Sequence, residues 1–213
     1  MTQAPSKRVY RLSPFGEAIH PWLNKADTKY NADGLYHTGL KLSGAPAQKF
    51  AEEIREASDR YFAELTETMA PAERKKWSVY YPFEELENDA GDKTGEIVFD
   101  FKQNVKIKLK SGEVKEISLR LQDGAGKDTK KAIFGGSTIR TMYAPRDVKM
   151  TSSKEAGVRL DFCGVQVTKL SEGRSSGGGF GAVEGAWTDE GGEDEQQGFG
   201  PAGGSSGSAD GDY

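Results

Sequence analysis

Apolar and polar residues alternate in several short runs, and this pattern predicts a protein built mainly from β-strands. The first alternating runs are 7–12 and 34–42. From residue 47 to residue 69 the apolar residues instead recur at spacings of three and four, which predicts one amphipathic helix of about five turns. Pro46 near its start and Pro71 beyond its end are at positions where proline is compatible with the boundaries of a helix.

Alternation returns after residue 95 and continues to residue 170. The runs predicted to be strands in this part are 96–102, 104–110, 114–122, 137–143 and 157–170. In the last run the apolar positions change parity at Gly164, which predicts a bulge or a sharp bend there. A small bent sheet with one long helix is typical of a mainly β fold, an OB-like five-stranded curled barrel.

The end of the chain has a different composition. Residues 175–213 are rich in glycine and serine and contain eight acidic residues but no lysine or arginine. Such a segment cannot bury enough apolar surface to fold, so we expect a disordered acidic tail after a folded domain at 1–174. Subtracting the tail's −8 from the whole-chain charge of −4 leaves +4 for residues 1–174. A basic body with an acidic tail favours nucleic acid as a partner.

The strand 104–110 suggests where a nucleic acid would bind. If Val105, Ile107 and Leu109 face the core, Lys106, Lys108 and Lys110 form an outward row spaced by about 6.6 Å. Other predicted strands add further outward cations, and aromatic residues with basic neighbours provide surfaces on which bases can stack. The complete set of predicted DNA-binding residues is Lys102, Lys106, Lys108, Lys110, Arg120, Arg140, Arg159, Trp77, Tyr80, Tyr81 and Tyr143.

Each of these residues also has a structural interpretation. A lysine row is common on an edge strand, where it prevents unwanted pairing, and most aromatic residues of a small domain belong to its core. Both interpretations stay open at this point.

The sequence contains no recognisable catalytic arrangement. Its two histidines, His20 and His37, are isolated from serine and carboxylate patterns, and His37 is expected to be structural. Cys163 is the single cysteine, which excludes an internal disulfide and a thiolate metal site. We expect no enzyme activity, no cofactor and no metal. No apolar run approaches the roughly 18 residues of a membrane span, so we expect a soluble intracellular protein.

Several short motifs follow one another along most of the chain. They are GLYHTGLKL before the helix, GEIVFDFK, KEISLRLQDGAGK, IFGGSTIRTMY, VRLDFCGVQVTKL, a GGGF junction and a terminal DGDY. Their order resembles the single-stranded-DNA-binding proteins of short-tailed T-odd coliphages and their relatives. This resemblance implies an OB fold with a helix packed on the barrel. It also implies sequence-independent binding of single-stranded DNA and annealing of complementary strands, in the cytoplasm of an infected bacterium.

The resemblance also implies a role for the tail. In this family an acidic tail with an aromatic last residue contacts the phage DNA polymerase and helicase-primase, and shields the DNA groove or supports a homodimer. The corresponding residues here are Glu193, Asp194, Glu195, Asp210, Asp212 and Tyr213. The chain departs from the family pattern because it ends in tyrosine where phenylalanine is usual, and because its acids are spread among glycines.

Two other functions remain open from the sequence. One is a protein-interaction or virion structural module whose acidic tail only increases solubility. The other is an enzyme that processes nucleic acid with a site built from ordinary residues.

Overall fold

The computed structural model describes residues 9–29, 31–109 and 111–172. The chain divides into two units, Met1–Ser175 and Ser176–Tyr213, and the second unit lies outside the described residues. The boundary at 174/175 and the disordered tail therefore stay predictions. Neither helix of the described part is long and apolar enough to cross a bilayer.

The described residues form two helices and eleven strands. The helices are α1 (Gly44–Glu67) and α2 (Pro71–Arg74). The strands are β1 (Arg11–Leu12), β2 (Gly16–Asp27), β3 (Leu35–Ser43), β4 (Ser78–Tyr80), β5 (Phe83–Glu87), β6 (Lys93–Asn104), β7 (Lys106–Lys108), β8 (Val114–Glu116), β9 (Arg120–Gln122), β10 (Thr138–Met150) and β11 (Glu155–Lys169).

Five of the strands close into a ring. Around the ring the order is β10, β2, β3, β6 and β11, and β11 pairs with β10 to complete the circle. Every pairing in the ring is antiparallel except that of β6 with β11. This arrangement confirms the prediction of a mainly β, OB-like fold with one long helix.

The interior of the ring is the hydrophobic core. Every second residue of β3 from Thr38 to Leu42 is buried, as the alternation predicted. The helix α1 covers one end of the ring, where Phe50 packs against Phe99 and Tyr143 with ring centroids 4.6 and 5.6 Å apart. Leu121 and Ile133 belong to the same buried cluster.

The β11 strand contains the predicted bulge. Its register with β10 shifts between Met142 and Tyr143, opposite Gly164. Beyond the shift Val165 and Val167 are buried, whereas before it the buried apolar side chains Val158, Leu160 and Phe162 have the opposite parity. The bulge therefore keeps the apolar side chains of both halves inside the ring.

Two predicted strands, 104–110 and 114–122, do not belong to the ring. The β3–β6 ladder ends at the pair Leu35 and Asn104. The residues after Asn104 do not continue this ladder, and instead β7 pairs with β8 as a hairpin. Leu109 is 40% exposed, so its predicted core position is wrong. The run 114–122 is interrupted, and only its last three residues join the main sheet as β9.

The ring strand β2 has no clear signal in the sequence. Pro21 cannot donate a ladder hydrogen bond, and the register with β3 is irregular between Ile19 and Trp22. His20 has a φ of 46°, in the left-handed region. This local distortion interrupts the alternation that would have revealed the strand.

Candidate nucleic-acid interface

A cationic groove opens on the outer face of the ring, where β6, β10 and β11 meet the β7–β8 hairpin. Its volume is roughly 220 Å³. We call its lining residues the basic groove: Gln103, Asn104, Lys106, Ile107, Lys108, Arg146, Arg159 and Asp161. Four of them are cations and one is a carboxylate, so this surface attracts a polyanion.

One buried carboxylate positions the two arginines of the basic groove. Arg146 and Arg159 lie opposite each other on β10 and β11. Their Nε groups donate to the two oxygens of Asp161 at 2.7 and 2.6 Å, and the Asp161 side chain is only 4% exposed. Arg159 also donates to Asn104 Oδ1 at 3.4 Å. Because the carboxylate is bound through Nε, each guanidinium keeps terminal N–H groups that can donate to a phosphate oxygen.

The β7–β8 hairpin forms the opposite wall of the groove. Lys106 and Lys108 are both exposed and line it, as the alternation in this run suggested. Lys106 Nζ lies 3.3 Å from Asp33, which neutralises part of its charge. For Lys108, no ion pair is formed with the described residues. The third residue of the predicted row, Lys110, lies outside the described residues.

A row of polar and aromatic side chains continues from the groove across the ring. In the strand register Trp22 of β2 is opposite His37 of β3, His37 is opposite Lys102 of β6, and Lys102 is opposite Asp161. The rings of Trp22 and His37 stack with centroids 6.2 Å apart, and Trp22 is 43% exposed. A large exposed aromatic side chain on the same row as a cation is an arrangement on which an unpaired base can stack.

Hydrogen bonds fix the other members of this row. His37 Nε2 donates to Asp27 at 3.3 Å, and Lys102 Nζ lies 3.3 Å from Asp100. The pKa of Asp27 is lowered, chiefly because this carboxylate accepts the backbone N–H of Lys29 and also because it bonds to His37. The anionic form of Asp27 thus holds the imidazole under the Trp22 ring.

Tyr80 lies at the edge of the basic groove. Its strand, β4, pairs with the first residues of β11. Burial raises the pKa of the Tyr80 hydroxyl, and the charges of Lys102, Asp100 and Arg159 also act on it. Of the four aromatic residues that the sequence suggested for base stacking, Tyr80 is the one that the fold places near Lys102 and Arg159.

The prediction for Trp77 is wrong because its ring is buried. The side chain is 8% exposed, and the amino groups of Lys149 and Lys154 lie 5.0 and 5.3 Å from its ring centroid. Its Nε1 donates to Glu73 at 3.3 Å, and Lys154 donates to the same carboxylate at 3.1 Å. Trp77 and Glu73 therefore attach the turn between β10 and β11 to α2, and this turn leads directly into the groove strands.

Glu73 makes this attachment sensitive to acid. Bonds from Lys76, Lys154 and Trp77 lower the pKa of Glu73 to about 2. A folded-state pKa below the unfolded value of 4.5 gives a stabilisation that is present above pH 4.5 and lost as the pH falls towards 2. We expect E73Q to unfold at a lower temperature than the wild type near neutral pH, and the difference to vanish near pH 2.

Thermal denaturation followed by circular dichroism across this pH range measures the effect. E52Q changes an exposed glutamate of α1 and is the matched control, for which no pH-dependent difference is expected. If the unfolding temperature of E73Q stayed below that of the wild type by a constant amount from neutral pH to pH 2, the stabilising role of the Glu73 carboxylate would be contradicted.

Tyr143 and Tyr81 are also not available to the groove. The prediction for Tyr143 is wrong, since the side chain is 1% exposed and its ring packs edge-on against Phe50 and Phe101. Burial also raises the pKa of its hydroxyl. Tyr81 faces α1 instead, where its hydroxyl donates to Asp59 at 2.7 Å. Burial and this bond raise the pKa of Tyr81 to about 12.

Arg120 and Arg140 lie outside the basic groove, further along the outer face of the same sheet. Arg120 Nε donates to Asp128 at 2.8 Å, which lowers the pKa of that carboxyl. Arg140 Nε donates to Gln166 at 2.9 Å. The fold thus brings Lys102, Lys106, Lys108, Arg159 and Tyr80 together, and separates them from these two arginines.

Sequence reasoning missed three residues of the interface, Trp22, Arg146 and Asp161. Trp22 follows the irregular His20–Pro21 step, so its strand was not recognised. Asp161 lies in the predicted strand 157–170, whereas Arg146 lies beyond the predicted strand 137–143, in the longer β10. The two residues contact each other only because β10 and β11 pair. The tail residues Glu193, Asp194, Glu195, Asp210, Asp212 and Tyr213 lie outside the described residues.

A closed OB-like ring of strands with a cationic groove and exposed aromatic side chains on its outer face is the architecture of proteins that bind single-stranded nucleic acids. The family model described as single-stranded DNA-binding protein of bacteriophage T7 matches residues 15–170. The chain therefore belongs to the family of the bacteriophage T7 single-stranded DNA-binding protein. Since this family is non-enzymatic, the prediction that the chain is not an enzyme is confirmed.

Solved structures agree on the fold. The crystal structure of gp2.5, a single-stranded DNA-binding protein encoded by bacteriophage T7, matches with a TM-score of 0.65 at 23% identity, over 92% of this chain and 100% of that chain. The single-stranded DNA-binding protein of bacteriophage Enc34 in complex with ssDNA matches with a TM-score of 0.53 at 12% identity, over 80% of this chain and 97% of that chain. A comparison with curated protein sequences gave no significant match.

Proposed function

We propose that this protein coats single-stranded DNA without sequence preference, and that the basic groove and the Trp22 row form the binding surface. The observation that carries the proposal is the pair Arg146 and Arg159, fixed by Asp161 on the outer face of an OB-like ring. Membership of a phage single-stranded DNA-binding family and the likeness to a fold solved with ssDNA support it.

The groove accounts for binding that does not depend on sequence. Guanidinium and ammonium groups contact phosphates, which are the same for every nucleotide. Trp22 and Tyr80 offer rings on which any base stacks, worth about 1–3 kcal/mol for each base. Since neither kind of contact reads the edges of the bases, these edges remain able to pair, which supports a role in annealing complementary strands.

The tail adds a second part to the proposed function. Its acids and terminal Tyr213 suit a basic, partly apolar pocket on another protein, and we assign to it the recruitment of the phage DNA polymerase and helicase-primase during replication and recombination. The supporting observations are the composition of residues 175–213 and the family membership of the domain before them. A homodimer is compatible with the same tail.

Fluorescence titration with an oligothymidylate of about 16 nucleotides tests DNA binding. We expect quenching of tryptophan emission through Trp22, and an observed affinity that falls with salt by a slope of about −0.7 for each phosphate neutralised. In W22F the quenching should be lost, while anisotropy of a labelled oligonucleotide still reports binding. The absence of binding at low salt in the wild type would overturn the proposal.

Removal of residues 175–213 tests the tail. An acidic tail competes with DNA for cations, so the truncated protein should bind the oligonucleotide more tightly while losing contact with the polymerase and helicase. Unchanged DNA affinity and unchanged partner contacts would contradict this part alone. Negligible DNA affinity in both forms would instead favour a structural module.

A further inference from the structure

We propose that a second nucleotide-binding site lies on the outer face of β9 and β10, about 20 Å along the strands from the basic groove, and that only longer single strands occupy both. The inference rests on the proposed function. We call the second site the Arg140 patch, formed by Leu12, Phe15, Arg120, Gln122, Arg140, Met142, Gly164 and Gln166.

Arg140 is the central cation of this patch. Its guanidinium carbon lies 4.7 Å from the centroid of the exposed Phe15 ring, and its Nε donates to Gln166 Oε1 at 2.9 Å. Gln166 is oriented in turn, because its amide nitrogen donates to the backbone carbonyls of Asp123 and Gly124. In the described part of the chain no carboxylate forms an ion pair with Arg140. A preorganised arginine without a carboxylate partner is suited to bind an anion.

The surroundings of Arg140 suit a nucleotide. Arg120 adds a second cation, part of whose charge is neutralised by Asp128 at 2.8 Å. Leu12 and Met142 are exposed apolar side chains on paired residues of β1 and β10. In the strand register Gly164 lies between Met142 and Arg120. It leaves a depression there, since a Cβ would be 3.4 Å from the Arg120 carbonyl oxygen and 3.5 Å from Met142. Bases stack on guanidinium planes as well as on aromatic rings, so a phosphate and a base can both be accommodated.

The register of β10 and β11 connects the two sites. Arg140 pairs with Gln166, Met142 with Gly164, and Arg146 with Arg159, all along one hairpin. Six residues separate Arg140 from Arg146, which corresponds to at most about 20 Å of strand. An OB fold binds about 4–16 nucleotides. A DNA oligomer at the lower end of this range fills the basic groove alone, whereas one at the upper end can fill the groove and continue to the Arg140 patch. This continuity favours DNA over an acidic peptide as the ligand of the patch.

Oligothymidylates of two lengths distinguish the sites. With the full chain we expect R140Q and R120Q to weaken binding of an oligomer of about 16 nucleotides by about fivefold to tenfold, and to change binding of one of about 4 nucleotides by less than twofold. R159Q, in the basic groove, should weaken binding of both lengths. R60Q, on the acidic outer face of α1, is the matched control and should change neither.

The outcomes separate this inference from the proposed function. If R159Q weakens binding but R140Q and R120Q match the wild type on the long oligomer, the second site is wrong and the groove stands. If the wild type binds neither oligomer, the proposed function itself fails. If R140Q abolishes binding of a labelled acidic peptide containing tyrosine while DNA binding is unchanged, the patch is a protein-docking surface and the inference is overturned.

Discussion

Replacing Arg159 by glutamine will weaken binding of single-stranded DNA by about tenfold to a hundredfold at low salt, corresponding to about 1.5–3 kcal/mol for a charge-assisted bond. Arg159 is held by Asp161 and Asn104, so its cation is already oriented before DNA arrives. The salt dependence of the affinity should also become shallower by about 0.7, because one phosphate contact is lost. Anisotropy titrations at several salt concentrations measure both quantities.

Two further variants separate charge from geometry. R159K keeps the positive charge but loses the planar fork that bonds Asp161 and a phosphate at once, so it should keep the salt slope and recover only part of the affinity. R60Q removes an arginine from α1 and serves as the charge-matched control. Equal losses in R159Q and R60Q would mean that net charge alone governs binding.

Folding of R159Q must be checked separately, because Asp161 is buried. In this variant Arg146 still bonds Asp161 at the opposite oxygen, so the carboxylate keeps a cationic partner. A buried carboxylate that loses its cationic partners costs about 3–5 kcal/mol. Removing both arginines therefore requires D161N in the same protein, and this triple variant should fold but bind DNA most weakly of the set.

The sequence predicted the interior of the ring better than its outer surface. The alternation in 34–42 and 157–170 follows from burial of one face of each strand, and the parity change at Gly164 follows from the bulge that keeps both halves of β11 in the core. These are local consequences of burial, and a single sequence records them.

The outer surface depends on pairing between distant residues. Arg146 and Arg159 meet because β10 and β11 fold back on each other, and no local pattern indicates that Asp161 orients both. Basic neighbours suggested that Tyr143 binds DNA, yet it has the same strand parity as buried Ile139 and Thr141. Strand parity was therefore the better guide to this residue than the charge of its neighbours.

A second large effect is expected at Gly157. We predict that G157A lowers the free energy of unfolding by about 3 kcal/mol or more. Gly157 lies on β11 opposite Tyr80 of β4. A Cβ at this position would be 2.0 Å from the Tyr80 carbonyl oxygen and 3.2 Å from Ser58 Oγ. The Tyr80 carbonyl is a backbone group and cannot rotate away from the new Cβ as the end of a long side chain could. The whole of β4 must therefore move away from β11.

Denaturant unfolding of G157A measures the loss as a lower transition midpoint. Gly124 is the matched control because its φ is not in the left-handed region and a Cβ there would meet no atom closer than 3.8 Å. G124A should therefore remain within about 0.5 kcal/mol of the wild type. Since β4 carries Tyr80 to the edge of the basic groove, G157A should also weaken DNA binding under conditions where it is still folded. A G157A protein with wild-type stability would show that β4 does not pack against β11 at this position.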